Sequence, residues 1–358
     1  MVIIMNLTII KNNMEHKFNY NWNLKDAVFT KDKGKVFSCF ACGGGSTMGY
    51  KLAGFNVLGC NEIDPKMIEA YKANHNPKYA YLEPIQTFKN RKDLPKDLYE
   101  LDILDGSPPC SSFSMAGNRE KDWGKDKVFR EGQAMQVLDT LFFDFIDLAK
   151  ELQPKVVVAE NVKGLLMGAA KSYVIAIYKA FDEAGYTCQH FLLDASKMGV
   201  PQRRERVFFI ALRKDLAPKF MEQKDMFTFL PKIEMVFNEV KLPLNNIEIE
   251  LGDEIKKCYF EDWTRLKNGE KQKYLQSQLI SIDKVHPTLT ASYRDKASPM
   301  PEWDNKWLNK SDLCKIGSYP QDYNFLKLKP HYLIGMSVPP VMTAQIASNI
   351  FEQWLSKI

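Results

Sequence analysis

Between Lys35 and Arg213, short apolar or β-branched runs alternate with stretches whose apolar residues recur every three or four positions. That alternation is the signature of a parallel sheet covered by helices. Residues 36–40 read as the first strand, followed by a glycine cluster and a short helix over 48–53. Residues 56–60 form the second strand, ending near Glu62, and Asp64-Pro65 opens the next helix with an aspartate cap and a proline in the first turn. Further strands fall at 101–105, 156–159, 187–193 and 207–212. Met135, Leu138, Leu141, Phe142, Phe145 and Ile146 predict one long amphipathic helix over 129–152, and 172–184 predicts another.

Past Ala217 the regular alternation stops, and Pro231, Pro243, Pro287, Pro299, Pro301 and Pro320 interrupt short mixed segments. At the far end Met342, Ile346, Ile350 and Trp354, with Ala347 and Phe351 beside them, make an apolar helix stripe that needs a core. The expected plan is an N-terminal extension (1–34), a doubly wound α/β unit (35–216), a smaller, mostly irregular or β unit (217–330), and a final segment (331–358) returning to the sheet.

Composition narrows the class. Hydrophobic residues at 45% and charged residues at 26% are ordinary for a soluble globular protein. A formal charge of +5 suits an anionic partner but falls short of a dedicated nucleic-acid binder's basic footprint. Seven cysteines without CxxC spacing argue against a disulfide framework or a structural zinc, and point to the cytoplasm. The apolar stretch 1–10 lacks a preceding basic segment and is too short for a membrane span, which needs about 18 apolar residues.

Four features carry chemistry. A strand runs into Gly106-Ser107-Pro108-Pro109-Cys110, a stiff turn that aims a thiol beyond the carboxyl end of a sheet strand, although an isolated cysteine is as often structural. Phe40-Ala41-Cys42-Gly43-Gly44-Gly45 is a glycine-rich turn, and Glu62 at the tip of the next strand suits a ribose. Together they suggest an adenosine-containing cofactor, and the missing GxGxxG pattern argues against a dinucleotide. Glu160, approached through three valines, is placed for partial desolvation and a raised carboxyl pKa. In Gln202-Arg203-Arg204-Glu205-Arg206, alternation puts Arg204 and Arg206 on one face, suited to a phosphate and a base carbonyl.

In this order the segments resemble the DNA (cytosine-5)-methyltransferases of bacteria and phages, over 35–212 and again from Val285 to the C-terminus. The glycine turn and Glu62 resemble that family's S-adenosylmethionine site, Pro108-Pro109-Cys110 its nucleophile loop, and Glu160-Asn161-Val162 its catalytic acid. Gln202 to Arg206 resembles its QxRxR segment, while Ser318-Tyr319-Pro320-Gln321-Asp322-Tyr323 and Gly335-Met336-Ser337-Val338-Pro339-Pro340 resemble its closing motifs.

The resemblance implies a doubly wound S-adenosylmethionine-dependent methyltransferase fold with a smaller target-recognition domain, acting on cytosine in double-stranded DNA. It implies Cys110, Glu160, Arg204 and Arg206 as catalytic residues, with Arg204 supporting a substrate phosphate or the loop. Phe40, Ala41, Gly43, Gly44, Gly45, Glu62, Ile63, Pro108, Ser337 and Val338 are implied around S-adenosylmethionine. Residues 111–130, with Arg119, Lys121, Lys125 and Lys127, would close over a flipped base, and Tyr259, Trp263, Arg265, Lys267, Lys271 and Lys273 are candidates for reading the target. A monomer without membrane attachment is expected, and a cognate restriction endonuclease fits as a partner. No metal ligand set is expected.

The chain departs from the family at Cys42 (usually glycine), Pro84 (acidic), His286 (arginine) and Met336 (asparagine). Two alternatives remain: a tRNA-directed member, against which Cys258-Tyr259-Phe260 fails to match the Cys-Phe-Thr of that branch, and an inactive DNA-binding scaffold.

Overall fold

A computed structural model describes residues 16–109, 126–127, 136–137, 140–225, 228–255, 257–270, 278–293 and 299–358. Seven strands make the central sheet: β1 (Lys35–Cys39), β2 (Asn56–Glu62), β3 (Tyr79–Leu82), β4 (Ile103–Gly106), β5 (Val156–Val162), β6 (Tyr186–Asp194) and β7 (Glu205–Arg213). They lie in the order β3-β2-β1-β4-β5-β7-β6. Every pairing from β3 to β5 is parallel, whereas β7 runs antiparallel to both β5 and β6.

The two-residue period of the strands separates two cores. Phe37, Leu104, Val157 and Phe209 face Phe88 of the short helix α3 (Ile85–Phe88) and Phe142, Phe145 and Phe181 of helices α4 (Leu141–Leu152) and α5 (Lys171–Glu183). Their neighbours Val36, Ile103, Val156, Val158 and Ile210 face the opposite side. There they meet Tyr50 and Ala53, in and just after α1 (Gly45–Leu52), and the stripe Met342, Ile346 and Ile350 of α9 (Pro340–Gln353), with Trp354 just beyond. The apolar end of the chain therefore returns to the sheet as its pattern requires. Helix α2 (Pro65–His75) starts as its sequence dictates, the Asp64 carboxylate accepting from the backbone N–H groups of Lys66 and Met67 at 2.8 and 3.3 Å.

One expectation fails. The helix read over 129–152 begins only at Leu141, and Gln136–Val137 instead pairs antiparallel with Asp126–Lys127. Leu141, Phe142, Phe145 and Ile146 keep their predicted buried face. Periodicity identified that face but not where the helix starts; Met135 and Leu138, which extended the pattern backwards, lie outside the described residues.

Between Ala217 and α9 the described residues hold little regular structure. Its longest pieces are α6 (Lys257–Lys267) and α7 (Lys310–Gly317), followed by α8 (Pro330–Met336), and its strands are two or three residues long. A third core joins them, in which Leu244, Leu289, Trp307, Leu313, Tyr319, Tyr323 and Leu333 pack with Met48 of α1 and Met67 and Ala70 of α2. This later part of the chain is thus built directly onto α1 and α2. Among the described residues no helix is long and apolar enough to cross a membrane.

The C-terminal return makes a strong demand on one side chain. Trp354 is fully buried and its indole N–H donates to the Lys232 carbonyl at 2.7 Å. Trp354→Ala is expected to destabilise the protein by about 3–5 kcal/mol, measured by urea denaturation.

Candidate active site

The parallel strands β1, β2, β4 and β5 end at one edge of the sheet, and antiparallel β7 begins there. At the end of β1 the chain turns sharply, with Phe40, Cys42 and Gly44 at positive φ (53°, 51° and 85°). Only the glycine adopts this conformation without steric cost, so Cys42, standing where the family has glycine, holds a strained backbone. What keeps it there is Glu62. One carboxylate oxygen accepts from the Cys42 N–H at 2.7 Å, and the other accepts from the Ile63 and Asp64 N–H groups, each at 2.9 Å. One acceptor position of Glu62 is therefore spent on the glycine turn and two on the backbone that follows Glu62 itself, roles the ribose reading did not include.

The turn is also closely covered. A Cβ added to Gly43 would lie 2.6 Å from Leu333 Cδ1, and one added to Gly45 would lie 2.5 Å from the Val338 carbonyl and 2.8 Å from Ser337 Cβ. Ser337 and Val338 thus return to the glycine turn, as the closing motif implied. Two buried donors converge on the Gly43 carbonyl: the Tyr323 hydroxyl at 2.6 Å and His75 Nε2 at 3.3 Å. Burial, with the nearby Lys51 charge, pulls the His75 pKa down to about 3, so the ring stays neutral.

Asp105, the third residue of β4, is a site residue that the strand pattern concealed. Its carboxylate is buried and accepts from Ser46 Oγ at 2.7 Å and the Tyr50 hydroxyl at 3.2 Å, tying β4 to α1, with Ser38 as a further hydroxyl donor. Burial raises its pKa to about 6; the hydroxyls oppose the shift and Glu160 adds to it. The signal in the sequence was an acid inside a strand otherwise buried and apolar.

Beyond β4, Pro108 is held by Asn161, whose side-chain N–H donates to the Pro108 carbonyl at 3.2 Å. Asn161 is buried, and its oxygen accepts from the Val162 N–H at 2.8 Å. The residue beside Glu160 thereby fixes the stem of the cysteine loop. Cys110 itself lies outside the described residues, as do Arg119, Lys121 and Lys125, and Lys127 belongs to the short pair with Gln136–Val137.

Strand register assembles the charged centre. Glu160 faces Phe208 and Val162 faces Arg206, so Glu160 and Arg206 are diagonal neighbours on one sheet face. Arg206 Nε meets Glu160 Oε1 at 3.0 Å, with both side chains about seven-eighths buried. Burial lowers the Arg206 pKa and the Glu160 carboxylate opposes it. The isolated acid pictured from the sequence is an ion pair.

Arg204 does something else. Fully withdrawn from solvent, it donates to the Leu289 carbonyl at 3.1 Å and the Gly335 carbonyl at 3.0 Å. Gln202 joins it, donating to the Ile316 carbonyl at 3.3 Å and accepting from the Leu289 N–H at 2.9 Å. Of the two arginines expected to share a cleft, Arg206 faces the acid, whereas Arg204 ties the sheet to the second unit and presents no charge to a phosphate. His286 is buried beside this seam, its carbonyl accepting from the Arg203 N–H at 2.8 Å. Burial brings its pKa down to about 4, so it does not replace the family's arginine as a cation.

Among the target-reading candidates, Trp263 Nε1 donates to the Pro301 carbonyl at 2.7 Å, Lys267 lies 4.5 Å from the Trp263 ring centre, and Arg265 pairs with Glu270 at 2.9 Å. These three build the local structure of α6. The Tyr259 side chain, Lys271 and Lys273 lie outside the described residues.

The profile of the C-5 cytosine-specific DNA methylase family matches residues 34–352. The chain belongs to that family. The type II methyltransferase M.NgoPII of Neisseria gonorrhoeae is 35% identical over 88% of this chain and 95% of its own length. M.DdeI of Desulfomicrobium norvegicum is 36% identical over 88% of each. In three dimensions, a putative DNA modification methyltransferase from an Escherichia coli prophage superposes with a TM-score of 0.62 at 20% identity, covering 89% of this chain and 99% of that one. Membership of the C-5 cytosine-specific DNA methylases accounts for the strand order and for methyl transfer to cytosine C5 in DNA.

Two outcomes separate the roles of these residues in the methylase. Arg204→Ala, which strands buried carbonyls, should cost about 3 kcal/mol in urea denaturation. Arg206→Lys keeps the charge but loses the planar fork, so it should hold stability within about 1 kcal/mol while slowing methyl transfer at least a hundredfold.

Asp105 makes a pH-dependent contribution. Its folded pKa is raised from 3.8 to about 6, so the folded state binds this proton more tightly than the unfolded chain. Its contribution is therefore complete below pH 4 and lost as pH rises through 6, on the order of 3 kcal/mol. Asp105→Asn, compared with wild type by denaturation at pH 5 and pH 7.5, should gain relative stability at the higher pH.

Proposed function

We propose that Cys110 is the nucleophile of this DNA cytosine-5 methylase, that Glu160 and Arg206 receive the target base, and that S-adenosylmethionine is the methyl donor. The reading is carried by the Glu160–Arg206 pair, seated at the sheet edge beside an Asn161 that grips the stem of the cysteine loop. A carboxylate and a guanidinium in fixed register match the donor and acceptor edge of cytosine. The ion pair would open so that Glu160, taking up a proton, donates it to N3 and accepts from the exocyclic amine, while Arg206 donates to the O2 oxygen. Addition of the Cys110 thiolate to C6 makes C5 nucleophilic, and loss of the C5 proton after methylation expels the thiolate. Because C6 is inaccessible in stacked duplex, the base must be flipped out.

The residues around the glycine turn fit the donor. The glycine turn exposes backbone beside the closing segment Ser337-Val338, and Glu62 places a carboxylate at the tip of β2. Phe40, Ala41, Gly43, Gly44, Gly45, Glu62, Ile63, Pro108, Ser337 and Val338 would hold it, largely through backbone groups. When bound, S-adenosylmethionine supplies a methyl group on a sulfonium leaving group. Target choice would reside in the second unit, and a cognate restriction endonuclease is the partner this reading suggests.

The test is incubation with labelled S-adenosylmethionine and either duplex DNA or tRNA, alongside Cys110→Ala. Label should enter DNA and disappear in the variant. Label in tRNA alone, in neither substrate, or in DNA despite the substitution would overturn the proposal.

A further inference from the structure

Residues 16–33 precede the stretch matched by the family profile, which begins at residue 34, and they are built into the molecule. From Lys33, whose N–H donates to the Gly54 carbonyl at 3.1 Å, this segment runs back to the turn between α7 and α8. There the adjacent N–H groups of Leu24 and Lys25 donate to the two Asp322 carboxylate oxygens at 2.7 and 3.1 Å. Trp22 grips the same turn twice. Its indole N–H donates to the Ser318 carbonyl at 3.0 Å, and its own carbonyl accepts from the Gln321 N–H at 2.8 Å. Tyr20, Trp22 and Leu24 pack on the third core, and the far end is moored where His16 and Gln345 of α9 both bond Glu239, each at 2.6 Å.

The gripped turn, 318–323, is the one that touches the glycine turn. Tyr323 donates to the Gly43 carbonyl at 2.6 Å, and Tyr319, stacked edge-on 5.3 Å from Tyr323, has its hydroxyl 2.9 Å from where a Cβ on Gly45 would sit. Every link from Leu24 to Gly43 is thus a hydrogen bond or a single residue of backbone: Leu24 N–H, Asp322, Tyr323, Gly43.

We propose that residues 16–33 are a strap that sets the shape of the glycine turn, with Trp22 and Asp322 as positioning residues acting through Tyr323. The inference rests on the reading of that turn as the S-adenosylmethionine site. The turn, strained at residues 40 and 42, is held by Glu62 at the Cys42 N–H and by His75 and Tyr323 at the Gly43 carbonyl, and Asp322, next to Tyr323 in the chain, joins the last of these holds to the strap. The segment outside the family's matched stretch therefore belongs to the methyl-donor site in action, though no part of it touches the turn.

The test uses the full chain without cofactor and three variants: Asp322→Ala, Tyr323→Phe and the double substitution. Hydrogen exchange is followed at the Cys42 and Gly44 amides, which bond Glu62 and the Ala41 carbonyl. S-adenosylhomocysteine affinity is measured by calorimetry. Each single variant should speed exchange at both amides and weaken binding about tenfold, the value of one anchoring hydrogen bond. The double variant should be no worse than Tyr323→Phe alone, because both act along one path. Methyl transfer should show a raised KM for the donor with kcat little changed. Asp322→Ala indistinguishable from wild type in exchange, or fully additive effects in the double variant, would overturn the strap. Wild-type protein that binds no S-adenosylhomocysteine would instead overturn the cofactor reading, while the exchange result would still decide the mechanical link.

Discussion

A buried guanidinium sets the geometry of this protein. Arg204 sits in the seam between the sheet and the second unit, with carbonyls of Leu289 and Gly335 on its terminal nitrogens and Gln202 reinforcing the joint. A charge so placed is tolerable only with partners close by, so the seam has a single satisfactory spacing. Two positions follow from it. Arg206, two residues along the chain, enters the sheet opposite Val162 and reaches Glu160, while Ser337, two residues past Gly335, arrives beside Gly45. The Glu160–Arg206 pair and the glycine turn are placed from one joint.

The fold was legible because its signals are local. Apolar runs located all but one of the seven strands, β3, whose four residues are partly exposed and lack a clean alternation. The start of α4 was misplaced because a face can be read from spacing and a boundary cannot, absent a cap; the residue before Leu141, Thr140, makes no side-chain capping bond. The strap at 16–33 gave no sequence signal, since its contacts are backbone amides meeting a carboxylate almost 300 residues away.

The site was legible as types of residue and less so as roles. Glu160 and Arg206 were legible as charged residues near one sheet edge, but their pairing was not, because it depends on the register of β7 against β5. Arg204 has the same alternation and a different fate, since the decisive fact is which carbonyls come near it from residues 289 and 335. Asn161 and Asp105 passed as strand ends. Their functions depend on the Pro108 carbonyl and on hydroxyls of α1, partners that become visible only once β1, β4 and β5 are side by side.

The diagonal placement of Glu160 and Arg206 has a consequence for assembly. Because side chains alternate strictly along a strand, slipping β7 by one residue against β5 would carry Arg206 through to the opposite face and bring no cation in its place, since position 205 is a glutamate. The pair therefore acts as a key cut into the sheet. A chain that closes its last hairpin out of step leaves Glu160 buried without its cation, so the charge balance of the sheet edge itself rejects the misaligned fold.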